Sequence, residues 1–112
     1  MKNFDDIENE VNFRKEWMEN YKLKTPSYYH IERYIAKLYE VIKKYNAKTE
    51  EAQNDLIIVK HNADILNADL AGELKSDYEK RLVRYRDKWI NYHEAIDNVQ
   101  KRFLDIVKKD LT

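Results

Sequence analysis

YYHIERYIAKLYEVIKKYNAKTEEAQNDLIIVKHNADILNADL, residues 28–70, places an apolar or nearly apolar residue at alternating steps of three and four. The series runs Tyr28, Ile31, Ile35, Leu38, Ile42, Tyr45, Thr49, Ala52, Leu56, Val59, Ala63, Leu66, Leu70. This is the heptad seam of a helix that keeps one narrow stripe against a partner helix over many turns. Pro26 lies just ahead of it, and neither Pro nor Gly interrupts it. The spacing predicts one helix over about 26–71, some 68 Å long at the α-helical rise of 1.5 Å per residue. A break at Tyr45-Asn46-Ala47-Lys48-Thr49, with Asn closing one helix and Thr capping the next, is the rival. The unbroken phase of the seam favours continuity.

Working outward, Phe4, Ile7, Val11, Met18 and Tyr21 share one face of a shorter amphipathic helix over about 3–23. Thr25-Pro26 suits a helix start, so a tight turn is expected there. On the other side, Gly72 stands where a C-cap is wanted, and Ser76-Asp77-Tyr78-Glu79 matches a capping box. The seam also takes two consecutive steps of four after Leu66. Together these predict a reversal at 71–76 and a third helix over about 76–110, with Tyr78, Leu82, Tyr85, Trp89, Tyr92, Ile96, Val99, Phe103 and Ile106 as its seam.

A turn centred on Leu74 sets Leu70 opposite Tyr78, Ala63 opposite Tyr85, Ala52 opposite Ile96 and Tyr45 opposite Phe103. Small residues then meet large ones, as close packing requires. The expected architecture is all-α: a long antiparallel, coiled-coil-like helical hairpin, with the N-terminal helix folded beside Leu38, Ile42 and Tyr45 to make a three-helix base.

Composition supports this class. The 112 residues fit a single domain spanning 1–112, and one Gly and one Pro are too few for a β-rich fold. Charged residues make up 38% and balance to zero, so only local patches can act electrostatically. The absence of Cys excludes disulfides and thiol chemistry and suits a reducing compartment. With an acidic N-terminus and no long apolar run, neither a secretion signal nor a membrane association is expected, and the cytoplasm is the expected location. Lys, Asn, Ile and Tyr are abundant, all encoded by AT-rich codons, which points to a low-GC bacterial, phage or plasmid genome.

The chemistry-bearing residues are dispersed. His30, His61 and His93 have no second ligand at metal-site spacing, and no nucleophile, phosphate loop or carboxylate pair stands out. No enzyme activity, metal or cofactor is therefore expected. Lys80, Arg81, Arg84 and Lys88 share one helical face and could contact phosphates. Asp77, Asp87, Glu94 and Asp105 interrupt the same stripe, so a salt-bridged, solvated surface explains it as well. Tyr29 and Tyr39 lie off the seam, either packing at the base or adding to a partner surface.

The most informative residues are apolar ones that a two-helix arm cannot bury: Ile57, Ile58 and Ile65 on one helix, Val83 and Ile90 on the other. A contiguous exposed patch of this kind marks an interface, whereas scattered surface isoleucines mark nothing. The expectation is a small non-enzymatic interaction module, a homodimer or a binder of another protein. A nucleic-acid-binding regulator and a mobile-element inhibitor of a host enzyme are the alternatives.

Overall fold

The computed structural model describes residues 3–12, 28–80 and 88–112, with the backbone alone for Tyr28, Trp89 and Ile90. These residues are all-α, with no strand among them. In chain order the helices are α1 (Phe4–Val11), α2 (Tyr28–Lys44), α3 (Glu50–Ile65), a single π turn (Leu66–Leu70), α4 (Ala71–Glu79) and α5 (Trp89–Leu111). α3, the π turn and α4 follow one another without a gap, making one helical run over 50–79.

α2 and α5 both pack on this run and touch each other, and α1 lies against both α2 and α5. α5 is antiparallel to the run: Lys109 meets Glu51 at 3.3 Å near one end and Lys88 meets Glu73 at 2.5 Å near the other. The longest dimension of the molecule is 45 Å, well short of an unbroken 26–71 helix.

Local sequence explains each element. α1 opens on a capping box, in which the Asn3 side chain accepts from the Asp6 amide at 2.9 Å and the Asp6 carboxylate accepts from the Asn3 amide at 3.2 Å. Its buried Ile7 and Val11 face the core beside Ile31, Tyr34, Ile35, Leu38 and Ile42 of α2. The Tyr34 hydroxyl donates to the Val11 carbonyl at 2.8 Å, satisfying an acceptor left open at the end of α1, and also meets the Gln100 side chain of α5. From the 50–79 run, Leu56, Val59, Ala63, Leu66 and Leu74 complete the core with Tyr92, Ile96, Val99, Phe103 and Val107.

Two boundaries differ from the sequence expectation. The first is the break at 45–49, where the helix expected over 26–71 ends after Lys44 and restarts at Glu50. Thr49 is the N-cap of α3, its hydroxyl accepting from the Ala52 amide at 3.2 Å. The Asp110 carboxylate, from the last turn of α5, takes up donors of the loop itself. It accepts from the Lys48 amide at 2.9 Å, the Thr49 amide at 2.8 Å, the Thr49 hydroxyl at 2.9 Å and the Tyr45 hydroxyl at 2.5 Å. Breaking the helix frees backbone donors, and a buried anion at a helix N-terminus is a favourable way to meet them. Tyr45 and Thr49 therefore still face α5 as the seam requires, but from a loop. The expected pair Tyr45 and Phe103 is in contact, edge to face at 5.6 Å between ring centroids.

The second is the reversal expected at 71–76. The chain continues as helix there, and α4 ends at its C-cap Lys80. Leu66, Leu70 and Leu74 step by four because a π turn holds one more residue per turn than an α-helix. The phase slip is absorbed within the helix and does not end it. Gly72 is accordingly a helix-interior residue with open space around it. Tyr78 shares one continuous helical run with Leu70 and is 54% exposed, so their expected pairing does not form. In α5 the buried seam position is Val107, with Ile106 only half-buried. Residues 13–23 of the expected first helix, and Leu82 and Tyr85 of the expected third, lie outside the described residues.

Gly72→Ala tests the second correction, because a left-handed C-cap would be harmed by Ala whereas a helix interior gains from it. The expected outcome is a stability gain of about 0.5–1 kcal/mol in thermal or denaturant unfolding.

Asp110→Asn tests the first. An amide cannot accept from all these donors without presenting its own N–H group to them, and a loss of about 1–3 kcal/mol is expected. Burial would raise the Asp110 carboxyl, but bonds from Tyr45, Lys48 and Thr49 outweigh it and hold it down at about 2, against an ordinary 3.8. Its stabilisation is therefore complete above the unfolded value and lost as pH falls from about 4 through about 2. Acid titrations should show that component in the parent protein and not in Asp110→Asn.

Candidate protein-docking face

α3 is apolar on two opposite sides. Ala52, Leu56, Val59 and Ala63 are buried on the inner one. At about 100° per residue, Asn54, Ile57, Ile58, His61 and Ile65 fall within about 100° of arc on the outer one, with Glu50 in the same arc one turn before Asn54. All five are exposed, and the isoleucines strongly so: Ile57 67%, Ile58 61% and Ile65 39%. Full burial of each would contribute roughly 1.5–3 kcal/mol, which the isolated chain forgoes. α3 cannot roll to recover it, because Thr49 and Asp110 fix its start and the buried Leu66 follows its end.

Of the other expected interface residues, Val83 lies outside the described residues, and Ile90 belongs to the first turn of α5 with only its backbone described. Among the described side chains, the structure thus brings together the three isoleucines of α3.

In the basic set, Arg81 and Arg84 also lie outside the described residues, and Lys80 is exposed at the end of α4. Lys88 is half-buried, 2.5 Å from Glu73 and 3.3 Å from Asp77. Its bonds to Glu73 first, and then to Asp77, raise its ammonium above the ordinary lysine range. Asp77 is itself buried and accepts from the Tyr92 hydroxyl at 3.0 Å. The Lys88 charge is engaged in joining α4 to α5.

His61 is exposed, His30 stands edge-on to Tyr29, and His93 pairs with Asp97 at 3.1 Å. Among the described residues, no group of three or more His, Asp or Glu could hold a metal ion. No described helix is long and apolar enough to cross a membrane. Tyr29 is exposed beneath the Arg33 guanidinium, and Tyr39 packs against the core with the Lys43 ammonium over its ring.

Sequence spacing did not reveal a concavity of about 450 Å³ where α1, α2, the 45–48 loop and Leu111 meet. Ile7 and Val41 line it with Lys37, Lys44, Lys48, Glu10 and Glu40, so charges of both signs face it and no one ligand class is selected. The Asp110 cluster was equally hidden, since its members lie more than 60 positions apart in the chain.

The described residues together define a small helical bundle in which the outer face of α3 is an exposed apolar surface. No family model, curated protein or solved structure matches the chain.

The two sides of α3 should respond differently to substitution. Ile58→Ser is expected to change unfolding stability by less than about 0.5 kcal/mol, whereas Leu56→Ala should cost about 2–5 kcal/mol. Denaturant unfolding of both variants reads the difference.

Proposed function

We propose that the protein is a small non-enzymatic interaction module that docks on another polypeptide through the outer face of α3, and we place its action in the cytoplasm. The observation that carries this is the exposure of Ile57, Ile58 and Ile65 on one side of a helix whose opposite side is already buried. A single exposed isoleucine means little, but three on one helical stripe make a surface that a partner can dehydrate.

The double variant Ile58→Asp/Ile65→Asp should abolish complex formation while leaving helicity by circular dichroism intact. Multi-angle light scattering together with affinity capture reads the outcome. A variant that keeps the parent's solution mass and its captured partner would refute the proposal.

A further inference from the structure

Resting on the reading of α3 as a docking face, we infer that its occupant is an amphipathic helix with basic flanks, belonging to another protein and not to a second copy of this chain. The stripe is one helix wide, and Asn54, Ile58, His61 and Ile65 repeat at steps of four, three and four, the spacing that receives another helix.

The charges beside the stripe select the partner. Residues 50–70 hold five carboxylates, Glu50, Glu51, Asp55, Asp64 and Asp69, against one lysine, Lys60. By helical position, Glu50, Glu51 and Asp64 lie within the solvent-facing half of α3, and no Lys or Arg does. Lys60 sits lower on the flank, lining a shallow concavity with Lys43, Tyr39 and Asp64 between α2 and α3. On the other flank Lys109 reaches Glu51 at 3.3 Å, but both side chains are well exposed, and such a surface pair is worth little.

Among the described residues, a second copy would bring the same three carboxylates, with Lys109 and Lys60 on the flanks as the cations nearest its stripe, whether it docked parallel or antiparallel. Three isoleucines also make a small apolar centre beside the roughly 800 Å² per partner of a standard interface, so carboxylates only partly offset by Lys109 and Lys60 count against self-association. Lysines or arginines flanking the apolar seam of a partner helix would instead meet Glu50, Glu51 and Asp64. An anionic membrane surface is disfavoured by the same carboxylates.

The test uses the full chain and two synthetic helical peptides with one Leu/Ile seam, flanked by Lys in one and by Glu in the other. Fluorescence anisotropy should show the Lys-flanked peptide binding at least about tenfold more tightly. Glu50→Gln/Asp64→Asn should shrink that ratio, and the uncharged change Ile58→Ser/Ile65→Ser should abolish binding. Equal affinity for the two peptides, or binding that survives the serine variant, would overturn the inference.

Sedimentation at matched concentrations separates the two levels of the proposal. A dimer that Ile58→Ser dissolves overturns the inference while leaving α3 as a docking face. Absence of both peptide binding and a dimer overturns the docking reading with it.

Discussion

The Asp110 carboxylate, seated on the start of α3, is the interaction on which the arrangement of the helices depends. It is only 7% exposed and comes from the last turn of α5, where a negative charge opposes that helix's own dipole. It is tolerated because the break after α2 supplies two backbone amides and two hydroxyls that accept no other arrangement so readily. One side chain thereby ties the end of α2 and the start of α3 to α5. The Tyr45 hydroxyl shares this environment: burial, then its bond to Asp110 and that charge, push it above the ordinary tyrosine range, so it stays a neutral donor. At the far end of α5, Lys88, Glu73, Asp77 and Tyr92 make a second polar joint. The apolar contacts between these joints are non-directional, so the joints supply the register that packing alone leaves loose.

The all-α class and most of the buried face were legible from spacing. Ile31, Ile35, Leu38 and Ile42, then Ala52, Leu56, Val59, Ala63 and Leu66, are the seam residues, and they are buried. Tyr92, Ile96, Val99 and Phe103 likewise form the inner face of α5. Continuity was not legible. A seam records which residues face a partner, and Tyr45 and Thr49 face α5 from a loop as well as they would from a helix. The partner that makes the loop affordable, Asp110, is remote in sequence and carries no local signature.

The reversal at 71–76 was misplaced for a related reason. Two steps of four, a glycine and a Ser-x-x-Glu pattern are each consistent with a helix end, but each has a second physical meaning. The steps are the signature of a π turn, Gly72 stands exposed where no side chain is needed, and Asp77 is an interior acceptor for Tyr92 and Lys88. Among the candidate site residues, Ile57, Ile58 and Ile65 survived these shifts because their exposure depends only on the seam of their own helix. The basic set depended on the chain near 81–88, and among its described members the half-buried Lys88 is tied to two carboxylates.

The outer face of α3 follows from the inner one. Ala52 and Ala63 are small and buried, and side chains of that size let a neighbouring helix approach closely. Turning α3 to bury Ile57, Ile58 and Ile65 would force larger side chains into that spacing and would pull Thr49 away from Asp110. The bundle therefore gains from close packing on the alanine side and from the capped helix start, and the isoleucines remain in water as a consequence of both. Their carboxylate neighbours Glu50, Glu51 and Asp64 then act on whatever approaches, repelling an identical surface and favouring one of opposite charge. Core geometry sets which residues are exposed, and the charges beside them set what can cover them.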